Sequence, residues 1–125
     1  MEYQLKEEII SRLEQITESI DVLIERNKDI TSVEDYLSTP WGMTLLDANL
    51  MRIQFIGETA SAIDKKTDKS LLVNYPEIPW KQIFGMRNYI SHQYADIDPD
   101  MVLIVIRKHL NPLKATVKQI IQELR

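Results

Sequence analysis

Eight residues, Arg87-Asn88-Tyr89-Ile90-Ser91-His92-Gln93-Tyr94, gather a permanent cation, an amide, a hydroxyl, a phenol and an imidazole in one short stretch. Arginine offers a fork of donors shaped for the oxygens of a phosphate, and it stays charged at any working pH. A neutral imidazole takes a proton from a ribose 2′-hydroxyl, and a protonated one returns a proton to a departing 5′-oxygen. Those are the elements of metal-free RNA transesterification, in which the 2′-oxygen attacks the adjacent phosphorus while a guanidinium stabilises charge on the phosphoryl oxygens. Arg87 and His92 are therefore the candidate catalytic pair. Asn88, able to orient His92 or a substrate, and Ser91 are the candidate supporting residues.

Helical geometry decides which of these side chains cooperate. At about 100° per residue, Arg87, Ser91 and Tyr94 fall on one stripe, with Asn88 and His92 on the next. Arg87 and His92 then diverge by roughly 140° in an unbroken helix. They converge only if the helix ends or deforms near His92, or if two copies of the octet face each other across a dimer axis. Taken singly, each residue has a bland reading: a helix-capping histidine, a packed tyrosine, an arginine laid along an apolar stripe. Taken together, a string this specific is rare by chance at ordinary composition.

The elements that must position the octet read as helices throughout. Leu5, Ile9, Leu13, Ile16, Ile20 and Leu23 alternate in steps of four and three, the seam of one long helix that ends over Asn27–Ile30. Thr31 to Asp35 restarts a short helix with Ser32 as its expected N-cap. Pro40 opens a second long helix, 41–66. Leu46, Leu50, Ile53, Gly57 and Ala60 line one stripe of it, and Met51, Phe55 and Ala62 line another. A helix apolar on two sides is central, or shared between a core and a subunit interface. Glu58 lies on the second stripe, either a carboxylate reaching solvent or an arginine, or one with a structural or site role.

A polar loop, 65–79, with one helical turn near Ser70–Val73, leads to Pro79 and a helix through Trp80, Ile83, Phe84, Met86 and Ile90 to about His92. Asp98-Pro99-Asp100 is a strong start for the last helix. That helix turns Val102, Val105, Ile106, Leu113, Val117, Ile120 and Leu124 inward, and Pro112 should kink or break it just upstream. The expectation is an all-α, up-and-down bundle of four long helices and one short one, a single domain over residues 1–125.

Net charge is −4 and pI about 5.2, so any hold on nucleic acid must come from a local cationic site. With no cysteine and two distant histidines, His92 and His109, no metal-ligand set is written in the chain. His109 lies beside the Val102/Ile106/Leu113 stripe and reads as a core or interface residue. Neither a cofactor nor a membrane association is expected, and the cysteine-free composition with an acidic N-terminus fits a cytoplasmic protein.

Arg87-Asn88-x-x-x-His92-x-Tyr94 resembles the R-x4-H-x-Y signature of HepT-like proteins, a branch of the HEPN superfamily. Ile56-Gly57-Glu58 looks like the Gly-Glu of that family's central helix, and Pro76-Glu77-Ile78-Pro79-Trp80 like its loop into the motif helix. Gly85-Met86-Arg87-Asn88 matches the approach to the motif, and Pro112 falls where the last helix often carries a proline. The resemblance implies an all-helical homodimer with the motif lining a cleft near the dimer axis. It implies a metal-independent RNase toxin, silenced by a nucleotidyltransferase (MNT-type) antitoxin that AMPylates the motif tyrosine. Arg87 and His92 would then be catalytic, Asn88 supporting and Tyr94 the modification site. The competing reading is a non-catalytic helical protein that binds RNA, nucleotide or a nucleotidyltransferase.

Overall fold

The computed structural model describes the backbone of residues 1–125 and the side chains of all but Gln93 and Tyr94. Six α-helices follow one another: α1 (Tyr3–Arg26), α2 (Glu34–Leu37), α3 (Pro40–Lys66), α4 (Trp80–Gln93), α5 (Pro99–Ile104) and α6 (Leu110–Leu124). A π-helical segment, Val105–His109, joins α5 to α6 into one helical run. No strand occurs among the described residues, so the fold is all-α, as the periodicity requires. No helix is long and apolar enough to cross a membrane.

Side-chain pairs between helices give the directions. Lys66 meets Glu8 and Asn49 meets Asn27, so α3 runs antiparallel to α1. Gln54 meets Ser91 and Glu58 meets Arg87, so α4 runs antiparallel to α3. Lys114 meets Asp21 and Arg125 meets Glu14, so α6 returns antiparallel to α1. The result is an up-and-down bundle. Its core takes Ile9, Leu13, Ile16, Ile20 and Leu23 from α1, Leu50, Ile53, Ile56 and Ile63 from α3, and Val102, Leu113, Val117 and Ile120 from the last helical run.

Local chemistry explains the helix ends. The Glu2 carboxylate caps α1 by accepting from the Gln4 and Leu5 amides at 2.7 and 3.2 Å. Thr39 Oγ1 accepts from the Gly42 amide at 2.9 Å, and Pro40 follows at the first helical position of α3. Asp98 caps α5 through the Asp100 amide at 2.9 Å, as expected. The expected cap at Ser32 is not formed. Instead the Asp35 carboxylate reaches back to accept from the Thr31 amide and hydroxyl and the Ser32 amide. These donors hold the Asp35 carboxyl below its usual range. Those donors precede α2, so Asp35 closes the turn into the helix and no side chain caps α2 itself.

At the far end of α1, a buried amide–phenol cluster fastens three elements. Asn27 and Asn49 exchange hydrogen bonds at 2.9 Å, and Tyr36 donates to Asn27 Oδ1 at 2.6 Å. Gly42 permits this, because a Cβ there would stand 2.2 Å from the Asp35 carbonyl oxygen. The loop into α4 is clipped as well. Tyr75 donates to Glu123, Trp80 Nε1 donates to the Tyr75 carbonyl at 2.9 Å, and burial pushes the Tyr75 phenol up to about 12. Its short helical turn lies at Leu72–Asn74, slightly later than the sequence suggests.

The last helix corrects one expectation and supports another. Pro112 lacks the N–H that would meet the Lys108 carbonyl, and its ring crowds that position. The chain answers with the wider π turn over Val105–His109, just upstream. One extra residue per turn carries Leu110, rather than His109, onto the buried stripe after Val102 and Ile106. His109 is therefore exposed and is not a core histidine. Arg107, on the same segment, donates to the Ile30 carbonyl at 2.6 Å and ties this turn to the α1–α2 linker.

Candidate functional site

The octet lies on the last two turns of α4 and the turn that follows. Ile90 is buried and anchors the segment, while Arg87, Asn88, Tyr89, Ser91 and His92 are exposed. Trp80 and Ile83 hold the other end of α4 in the core. What sets the height of α4 on α3 is Gly57. A Cβ at that position would lie 2.8 Å from the Ile83 carbonyl oxygen and 3.4 Å from the Arg87 nitrogen, so the two backbones touch there.

That close approach creates two rungs between the helices. The Glu58 carboxylate stands 3.4 Å from Arg87 Nε, and Gln54 Nε2 donates to Ser91 Oγ at 3.0 Å. Gln54 also reaches Glu58 at 3.4 Å, which links the rungs into one strip. The shared stripe expected for Arg87 and Ser91 is real, since both residues face α3. Glu58 takes the arginine-pairing option foreseen for it. Glu58 stands beside Nε, and among the described residues neither Nη group of Arg87 makes a hydrogen bond, which leaves both as a fork for a phosphate. Gln54 is the site neighbour that sequence reading missed. Its signal was its position one turn before Glu58.

His92 does not join this strip. α4 keeps α-helical geometry through Gln93, so no helix end falls between Arg87 and His92. Among the described residues no hydrogen bond joins His92 to Arg87 or Asn88. Within one chain the arginine faces α3, and the histidine sits on the next stripe with Asn88. Of the two routes to convergence, helix termination is not taken before His92. The side chain of Tyr94, the expected modification site, lies outside those described.

Next to the strip, the second apolar stripe of α3 is covered only in part by its own chain. Met51 is 75% exposed and Phe55 37%, with Tyr89 of the octet 40% exposed. α4 itself carries Lys81, Arg87 and His92 and not one carboxylate, although the chain has 19 acidic residues. α1, by contrast, carries six. α4 is therefore one candidate for a local cationic site, the Arg107–Lys108 pair on the π segment being another.

The chain is similar to proteins already known. Residues 6–120 match the model of the HepT-like family, described as ribonuclease HepT-like. A protein of Caldanaerobacter subterraneus subsp. tengcongensis named as a candidate RNase is 32% identical over 111 residues, covering 89% of this chain and 92% of that one. In Methanocaldococcus jannaschii, a combined gamma-glutamylcyclotransferase and candidate RNase is 29% identical over 120 residues, 96% of this chain and 50% of its own length. A second candidate RNase of that organism is 26% identical over 113 residues, covering 90% and 96% of the two chains. No solved structure matches.

Proposed function

The chain belongs to the HepT-like ribonuclease family, and from that premise we propose that it is a metal-independent endoribonuclease toxin whose active centre is assembled from two copies of the octet. The observation that supports this most is the exposed Met51/Phe55 stripe beside the Glu58–Arg87 strip. Pairing two chains over that stripe brings the arginine of one copy toward the histidine of the other, which one chain alone does not achieve. Arg87 then holds the scissile phosphate through its Nη groups. His92 takes the proton from the 2′-hydroxyl and returns one to the 5′-oxygen, so the products end in a 2′,3′-cyclic phosphate and a free 5′-hydroxyl. Asn88 and Ser91 support that pair, within one helical domain spanning residues 1–125.

Regulation follows from the same chemistry. AMP added to Tyr94 by a nucleotidyltransferase antitoxin would put bulk and negative charge where the RNA phosphate must sit. Intact mass of protein made with and without that partner tests this, with one AMP per chain expected at Tyr94. The test of catalysis is His92→Ala. RNA cleavage in excess chelator should vanish, along with toxicity on expression, while circular dichroism shows an unchanged helical bundle. Toxicity equal to the parent in a folded His92→Ala protein overturns the assignment. The non-catalytic alternative draws on the low net charge alone, and it predicts RNA binding through Arg87 without turnover.

A further inference from the structure

Each of the three glycines lies in a helix, and two have a reason within the fold. Gly42 and Gly57 face backbone atoms at 2.2 and 2.8 Å, where no Cβ fits. Gly85 is different. It sits mid-helix in α4, is exposed, and a Cβ there would meet nothing within 4 Å. A glycine in such a place weakens the helix and brings the fold no packing in return. It does leave the helix backbone bare to whatever approaches from outside.

What lies on either side indicates the visitor. Lys81, Gly85, Asn88 and His92 are spaced four, three and four apart, so they form one stripe, and all four are exposed. Among the described residues Lys81 makes no ion pair. No carboxylate occurs anywhere on α4. The stripe is therefore a cation, a gap, an amide and the candidate general base, in that order, over about 16 Å of helix. An apolar partner surface has nothing to grip there, whereas an anionic, hydrogen-bonding chain does.

We infer that Lys81, Gly85 and Asn88 form a track on which single-stranded RNA lies against the bare backbone of α4, with Lys81 holding a phosphate beyond the scissile one. This rests on the ribonuclease reading and adds a binding subsite to it. Arg87 serves the reacting phosphate; Lys81 fixes the register of the strand so that the reacting 2′-hydroxyl comes level with His92.

The test is binding of a fluorescein-labelled 2′-O-methyl oligouridylate of about 20 nucleotides, which binds as single-stranded RNA but has no 2′-hydroxyl to attack. Lys81→Ala should weaken binding about three- to tenfold at low salt and lower the slope of log affinity against log salt by about 0.7, one phosphate contact. Lys81→Arg should restore both. Gly85→Leu should weaken binding while raising the melting temperature by about 2–4 °C, because leucine favours the helix and its Cβ meets nothing in the chain. Equal affinity in parent and variants overturns the track and leaves the cleavage reading standing. Lys81-dependent binding with no cleavage of unmodified RNA keeps the track and overturns catalysis instead. A parent that binds no RNA overturns both. A Gly85→Leu protein that changes oligomeric mass, or that loses only a protein partner, shows the stripe to be a protein interface and overturns the track.

Discussion

Among single residues, Glu58 is the most instructive, because its value to the fold and its value to the site differ. Its ion pair with Arg87 is 3.4 Å long and roughly half exposed on both sides. Such pairs contribute about 0–1 kcal/mol once solvent screening and side-chain entropy are counted. Glu58→Gln should therefore leave the unfolding free energy within about 1 kcal/mol of the parent. Cleavage should suffer more. Without the carboxylate beside Nε, the guanidinium loses its charged partner among the described residues and is held less firmly for a phosphate, and a fall of roughly tenfold in rate is expected, about 1.4 kcal/mol. Urea unfolding and single-turnover cleavage measured on the same preparation separate the two. A variant that loses stability and activity in parallel would mark Glu58 as structural.

Between elements, the decisive contact is α3 on α4 at Gly57. Everything the octet presents is set by how closely these helices approach. A methyl at position 57 would press on the Ile83 carbonyl oxygen, which is backbone and cannot rotate away. Overpacking of this kind costs about 1–3 kcal/mol, against the few tenths to 1 kcal/mol that alanine returns to a helix. Gly57→Ala should lower stability by roughly 1–2 kcal/mol in a denaturant titration. It should also separate Glu58 from Arg87 and Gln54 from Ser91, so that cleavage falls further than in Glu58→Gln. A Gly57→Ala protein with parental stability and activity would show that the helices yield freely, contrary to this packing.

For the whole molecule, charge and apolar surface are both unevenly distributed. Acidic residues crowd α1, and α4 has none. Met51 and Phe55 stand exposed beside the strip that holds Arg87. If two chains pair over that stripe, replacing both residues by glutamate buries unpaired charge in the interface and should separate the copies. Light scattering should then show the monomer mass with helicity retained, and RNA cleavage should be lost, since the arginine and histidine no longer meet. A doubly substituted protein that keeps both its mass and its activity would place the active centre within one chain.

Sequence periodicity determined the long helices and most of their burial faces, and Pro40 and Asp98-Pro99 marked two of their starts, because a 3.6-residue repeat and a capping side chain act within a few residues of themselves. Octet composition likewise determined the chemistry on offer: a phosphate fork, a proton carrier and a modifiable hydroxyl. Three things waited for the fold. The exposure of His109 depended on a π turn induced by Pro112. The missing side-chain cap on α2, with Asp35 closing the turn before it, appeared only in the structure. Which half of the split octet meets a partner, Arg87 against Glu58 on α3, depended on Gly57 bringing two distant helices into backbone contact. Spacing in sequence sets angles around one helix, and only packing decides which angle meets a partner. The same logic picks out Gly85, whose meaning appears only once the structure shows the empty space around it.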